Sequence, residues 1–140
     1  MKKIDKYGYW LLFVIFFILA GIYECSGQTK EEVKAYVNNS TIINKEIVVR
    51  QIWKETEHLK CTECSLRYNN LFGFRLSKKS TIENPKGYLK FDTWQDSIDY
   101  LEKWQKRHPL KENETYYDFL VRIHWASDKN YIIDLKGVRY

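Results

Sequence analysis

A carboxylate lies on the apolar face of a predicted helix between Asn44 and Leu59. The apolar residues recur at helical spacing, at Val48, Ile52 and Leu59, so this side is expected to pack against a core. Glu55 falls on the same side, whereas Glu57 and Trp53 fall on the opposite one. Burial disfavours the charged form of a carboxyl and raises its pKa, which suits a general acid. The alternative is a Glu at a helix end that reaches water.

A second motif follows this helix. The polar segment from Cys61 to Arg67 leads into Tyr-Asn-Asn-Leu-Phe-Gly-Phe at residues 68–74. Glu55-Thr56 followed by Asn-Asn-Leu-Phe-Gly-Phe resembles the N-acetylglucosaminidases that cut the peptidoglycan glycan strand, a family of glycoside hydrolases. The runs at 88–100 and 125–131 are similar to later segments of that family, and they stand in the same order.

The resemblance implies an α+β, lysozyme-like fold with a mainly helical lobe and one small β-hairpin lobe, and a cleft between them. It also implies an endo-β-N-acetylglucosaminidase that acts on peptidoglycan and needs no cofactor or metal. A catalytically weak or silent module that binds cell-wall glycan is the alternative function.

Local patterns predict the elements of this fold. Helices are expected at 29–37, 44–59, from a cap at Thr93 to His108-Pro109, at 116–126 and at 128–135, the last capped by Asp128. Two strands of a hairpin are expected at 71–77 and 88–91, with turn and breaker residues between them.

The family motif implies the roles of the site residues. Glu55 is expected to be the catalytic acid, and Glu83 in the hairpin lobe is the candidate for the second carboxylate, with Asp92 at the edge of that lobe. Hydrolysis assisted by the substrate's own acetamido group would need no second carboxylate. The expected substrate-binding residues are Asn69, Asn70, Phe72, Gly73, Trp125 and Tyr131.

The expected roles of Asn69 and Trp125 have alternatives. Asn70 and the backbone at Gly73 are expected to hold the acetamido group, while Asn69 can instead brace the turn. Trp125 stands where the family has a tyrosine, and an indole lacks the hydroxyl of a phenol. Tyr131 or Tyr117 is a candidate to replace that hydroxyl.

Composition is consistent with a sugar-binding cleft. Aromatic residues make up 16% of the chain, with five Trp and eleven Tyr, and a pyranose ring can stack on such side chains. The net charge of +5 is scattered in pairs, which argues against nucleic-acid binding. A monomer is expected, and the resemblance implies that its partner is the peptidoglycan glycan strand.

The N-terminus is typical of export to the cell envelope, either the periplasm or the cell surface. Lys2, Lys3 and Lys6 precede an uncharged stretch at 7–23, and small residues follow before Gln28. Residues 1–27 are thus predicted to be a signal peptide or a membrane anchor through residues 7–23. A helix and linker at 28–43 and a catalytic domain at 44–140 follow. A lipid anchor on Cys25 is a further alternative.

Export would place Cys61 and Cys64 in an oxidising compartment. A local disulfide between them is therefore predicted, one that would stiffen the turn before Asn69. Zinc binding with His58 would need a fourth ligand, and a redox motif would need a thioredoxin-like pattern that is absent from this sequence.

Overall fold

Helices make up nearly all of the regular structure in the computed structural model, which describes residues 27–76 and 84–140. The described residues form five α-helices, α1 (Lys30–Asn39), α2 (Lys45–Glu55), α3 (Trp94–Arg107), α4 (Tyr116–Arg122) and α5 (Tyr131–Gly137), and a 3₁₀ helix at Ser65–Tyr68. The predicted mainly helical architecture is confirmed.

The N-termini of α1 and α3 follow the capping rules of the sequence. Thr29 and Glu32 form a reciprocal capping box at the start of α1, and Thr93 and Asp96 form another at the start of α3. Each box satisfies backbone N–H groups that the first helical turn leaves without partners. The predicted cap at Thr93 is therefore confirmed.

One apolar core joins the helices. Val33 and Val37 of α1 are fully buried, as are Ile52 of α2, Leu101 of α3 and Leu135 of α5. The segment predicted as an N-terminal helix and linker thus contributes to the same core as the rest of the described chain. Trp53 is buried as well, although helical spacing had placed it on the polar side.

Helix α2 ends four residues earlier than predicted, so that Glu55 is its last residue. The backbone of Glu57, His58 and Leu59 is left-handed, with φ values of 50°, 60° and 67°. The Thr56 side chain supplies hydrogen bonds at this helix end. Its hydroxyl donates to the Ile52 carbonyl at 2.6 Å and accepts from the Leu59 N–H at 3.1 Å.

The predicted hairpin is reduced to one antiparallel bridge, between Arg75 and Tyr88, and no sheet occurs in residues 27–76 and 84–140. Hydrogen bonds of 2.8 Å from Leu76 N to Gly87 O and from Leu89 N to Phe74 O flank it. Regular pairing does not extend toward residue 71, because the backbone turns there to bury Leu71 and Phe72 in the core.

The two C-terminal helices are shorter than predicted. Helix α4 ends before His124, whose φ of 52° is incompatible with a continuing helix. The residue before α5 is Asn130 rather than Asp128, so the predicted cap is wrong. The Asp128 carboxylate instead accepts from the Asn130 N–H at 2.8 Å and shapes the turn that precedes the helix.

Within the described residues, none of the helices has the length and apolar character needed to cross a membrane. The predicted signal peptide at 1–27 lies outside those residues except for Gly27, and the anchor at 7–23 and the alternative lipid site at Cys25 lie wholly outside them.

Candidate active site

Glu55 opens into a groove of about 530 Å³ beside the end of α2. Its walls come from three parts of the chain: the end of α2, the paired segments around Arg75 and Tyr88, and the turn that leads into α5. The lining residues are Lys54, Glu55, Phe72, Gly73, Arg75, Tyr88, Trp125, Ala126, Ser127, Asp128 and Tyr131. Four residues of the predicted site other than Glu55 are therefore brought together around it.

Burial raises the pKa of Glu55 above its ordinary value, because the charged form loses hydration. The hydrogen bond from Tyr131, the charges of Lys54 and Arg75 and the Trp125 indole all lower this pKa, yet burial dominates. The carboxyl is thus favoured in its protonated form at a higher pH than a solvated Glu. This is the electrostatic condition that the sequence predicted for a general acid.

Tyr131 is the hydroxyl partner of Glu55. Its hydroxyl donates to Glu55 Oε1 at 2.9 Å. Tyr131 is the first residue of α5, and its side chain is buried in the core. Burial and the neighbouring carboxyl raise the pKa of Tyr131 well above its usual value, so the hydroxyl remains a donor. Of the two tyrosines left open by the sequence, Tyr131 is at the site, whereas Tyr117 lies under the Lys136 ammonium and does not line the groove.

Trp125 contributes both a donor and an aromatic wall. Its indole N–H, which can act only as a donor, lowers the pKa of Glu55. Its ring packs edge to face on Phe74 and on Trp104, each with centroids 5.5 Å apart. The Trp that departs from the family pattern therefore still contacts the acid.

Gly73 provides the space that Glu55 occupies. Its φ is +70°, and a Cβ built on it would lie 3.0 Å from Glu55 Oε2. A side chain at this position would strain the backbone and would force the carboxyl to shift by a few tenths of an ångström. Gly73 thus contributes to the site because the absence of a side chain leaves room for the Glu55 carboxyl.

Asn70 does not face the groove as a sugar-binding residue, which the sequence had predicted. Its side chain is fully buried, and its amide donates to Phe74 O at 2.8 Å and Leu89 O at 2.9 Å. Its oxygen accepts from the N–H groups of Phe72 and Phe74. With its bonding capacity engaged inside the protein, Asn70 braces the groove wall and is not available to a sugar.

Asn69 is likewise a brace, which was the alternative that the sequence left open. It adopts a left-handed conformation with a φ of 54° and ends the 3₁₀ helix. Its amide donates to the carbonyls of Phe91 and Asp92 at 3.1 and 2.9 Å. The two asparagines therefore connect the loop before Gly73 to the segment at 89–92.

The predicted second carboxylate, Glu83, lies outside the described residues, and Asp92, at the edge of the predicted lobe, does not line the groove. Among the described lining residues, Asp128 is the only carboxylate besides Glu55. Sequence reasoning treated Asp128 only as a helix cap; its place beside Trp125 in the family-like run was the signal that could have identified it.

The cations of the groove differ in their partners. Lys54 pairs with Asp134 at 2.9 Å, whereas the Arg75 guanidinium lies over the Tyr88 ring, 5.2 Å from its centroid. Neither cation was predicted as a site residue. Two smaller hollows adjoin the groove: one of about 300 Å³ shares Arg75 and Trp125 with it, and one of about 330 Å³ shares Asp128 and Tyr131.

The structure also differs from the sequence at Cys61 and Cys64, which are free thiols rather than the predicted disulfide. The Cys64 thiol instead contacts the Cys61 carbonyl, with 3.8 Å between sulfur and oxygen. Burial, followed by the contact with Cys61, raises the pKa of the Cys64 thiol to about 11. No group of residues suited to hold a metal ion occurs in the described part of the chain, His58 included.

The state of these thiols predicts a slow reaction at Cys64. Because the thiolate is the nucleophile, the native protein near pH 7.5 should alkylate slowly at this residue. Both cysteines should be labelled rapidly after denaturation without reductant, as peptide mass spectrometry can measure. Denatured protein in which neither residue is labelled until a reductant is added would contradict the free-thiol state.

Comparison with known proteins gives no match to this chain among family models, curated proteins or solved structures.

Proposed function

We propose that this protein is an exported glycoside hydrolase that cuts the peptidoglycan glycan strand at N-acetylglucosamine. The observation that carries the proposal is Glu55, a carboxyl with a raised pKa that faces an aromatic-walled groove. The order of its motifs, which resembles the glucosaminidase family, supports the same substrate. A lysozyme-like fold belongs to this proposal, and the bridge at Arg75 and Tyr88 on the groove wall is consistent with a small hairpin lobe.

In the proposed reaction, Glu55 donates its proton to the glycosidic oxygen as the bond to the sugar breaks. The carboxylate that forms keeps the hydrogen bond from Tyr131, which becomes stronger when the acceptor is charged, and the Trp125 indole also favours the charged form. These two donors therefore limit the cost of leaving a negative charge in a partly buried position. Water then completes the reaction at the sugar, and the proton it releases returns to the enzyme.

The second catalytic role has three candidates: Asp128, Glu83 and the acetamido group of the substrate. Asp128 is exposed on the groove wall, where a carboxylate can activate water. Comparison of Asp128→Asn with Glu83→Gln separates the candidates. The variant that lacks the catalytic base should lose most of the rate of peptidoglycan cleavage. A substrate-assisted reaction would tolerate both changes.

A silent glycan-binding module is the second candidate function. It is favoured by the engagement of Asp128, whose carboxylate already accepts a backbone hydrogen bond from Asn130. The raised pKa of Glu55 favours the enzyme, because a binding module has no need of a protonated acid in its groove.

Digestion of purified peptidoglycan tests both functions. The hydrolase should release muropeptides with new reducing ends on N-acetylglucosamine, detected by borohydride reduction and mass spectrometry. Glu55→Gln protein should release none above background. Protein that sediments with the wall but leaves its strands intact would identify the binding module instead.

Export is tested separately, by intact mass and fractionation of the protein from cells. Cleavage before Gln28 would release a diffusible enzyme, whereas a full-length chain that stays with membranes at high salt would be anchored. An anchored enzyme could reach only glycan close to the membrane.

Tyr131→Phe should move the alkaline limb of the pH–rate profile to higher pH. The lost hydrogen bond lowers the pKa of Glu55, so its removal raises that pKa further, and a general acid is active below its pKa. The rate itself should fall about 10-fold, the effect of losing one hydrogen bond to a charged group. The measurement is kcat/KM against pH, with Tyr117→Phe as the matched control. An alkaline limb that stays in place would show that Tyr131 does not act on Glu55.

A further inference from the structure

The groove continues past Glu55 into a hollow of about 300 Å³ with mostly aromatic walls, here named the aromatic extension. It is lined by Phe72, Gly73, Phe74, Arg75, Trp104, Ile123 and Trp125. Arg75 is the only charged side chain among these residues. The extension therefore combines flat apolar surfaces with a single positive charge.

The aromatic walls form a connected cluster. Phe74 contacts both Phe72 and Trp125, with centroids 5.7 and 5.5 Å apart, and Trp125 also contacts Trp104 at 5.5 Å. Each ring is held by its neighbours in a tilted or edge-on arrangement, which leaves little freedom to collapse into the hollow. Such surfaces suit the C–H face of a sugar ring.

Arg75 is exposed at the border between the aromatic extension and the main groove. Its backbone pairs with Tyr88 in the antiparallel bridge, and its guanidinium lies over the Tyr88 ring. No carboxylate of the described residues forms an ion pair with it, in contrast to Lys54 and Asp134. Arg75 is thus held in place with its charge available to a ligand.

Asp128, the second carboxylate of the main groove, does not line the aromatic extension. It lines the main groove and the hollow beside α5. Arg75 and Asp128 therefore both line the main groove, but only Arg75 also lines the aromatic extension. A ligand that spans the groove is expected to have its anionic part near Arg75.

Resting on the proposed hydrolase function, we propose that the aromatic extension is a subsite for a sugar with a carboxylate-bearing substituent, and that Arg75 binds this carboxylate. The guanidinium can form two parallel hydrogen bonds to a carboxylate, a geometry that lysine lacks. In peptidoglycan, every second sugar carries a lactyl group with an acidic peptide stem, whereas chitin has no such group. Arg75 would therefore make the groove select peptidoglycan over chitin.

Binding measurements in a Glu55→Gln background test this subsite without turnover. The ligands are a muropeptide glycan with free stem carboxylates and a chitin oligosaccharide of the same length, measured by calorimetry. Adding Arg75→Gln should lower the ratio of the two affinities about 10-fold, the effect of losing a hydrogen-bonded charge. Arg75→Lys should restore only part of the preference, and binding of the muropeptide should weaken with salt only while the charge is present.

Lys90→Gln is the matched control, because Lys90 is an exposed cation that lines neither hollow nor groove. An affinity ratio that is the same with and without Arg75 would overturn the subsite, including the case in which both ligands lose affinity equally. Failure of the hydrolase proposal has a different signature, since wild-type protein would then produce no new reducing ends whatever the affinity ratio.

Discussion

Glu55→Gln should lower the rate of peptidoglycan cleavage by about 10²–10⁴-fold, the contribution of a positioned general acid. Gln keeps the shape of the side chain and its contacts with Tyr131 and Trp125, but it has no proton to transfer to the glycosidic oxygen. The measurement is the release of reducing ends from purified peptidoglycan. Unchanged release would remove Glu55 from the mechanism.

The same substitution should not destabilise the protein. The folded-state pKa of Glu55 is raised, so the carboxyl favours folding at low pH, and that contribution is lost as the pH rises through the folded pKa. Gln does not titrate, so the variant should be at least as stable as wild type at neutral and higher pH. Thermal unfolding across pH checks this result and separates lost chemistry from lost structure.

Glu57→Gln is the matched control. Glu57 is exposed two residues beyond Glu55, in the left-handed turn after α2, and it does not line the groove. Loss of its charge should leave cleavage within about twofold of wild type, as expected for a surface substitution. Equal losses at both positions would point to general damage at the end of α2.

Gly73→Ala should have the second-largest effect, on both activity and stability. The φ of +70° is costly for alanine, and the added Cβ would lie 3.0 Å from Glu55 Oε2. The strain should lower the free energy of unfolding by about 1–3 kcal/mol. The Glu55 carboxyl would have to shift by a few tenths of an ångström, so activity should fall by between about 10-fold and the roughly 10²-fold that a misplacement of about 1 Å costs.

Gly137→Ala provides the comparison for Gly73→Ala. Gly137 is the last residue of α5, and a Cβ at this position would have no atom within 4 Å. Alanine there should preserve activity and leave stability equal or slightly higher, because it favours helix more than glycine does. If Gly73→Ala behaved like Gly137→Ala, the close approach of Gly73 to Glu55 would have no functional role.

Local sequence was sufficient for the helices and for the burial of Glu55. The capping box at Thr93 and the apolar spacing of Val48 and Ile52 act through residues within one or two turns of each other, so the sequence alone reveals them. Helix ends were less accessible. The end of α2 depends on three residues in the left-handed conformation. None of them is a glycine, so the sequence carries no signal of that conformation.

Tertiary structure alone decided how the site is assembled. Tyr131 donates a hydrogen bond to Glu55, which lies 76 residues away in the chain. The Asn70 amide donates to the carbonyls of Phe74 and Leu89. The sequence showed that these residues carry polar groups; it could not show whether those groups face a ligand or the protein. That choice depends on which backbone groups lie within hydrogen-bonding distance after packing, and packing brings together segments that are far apart in the chain.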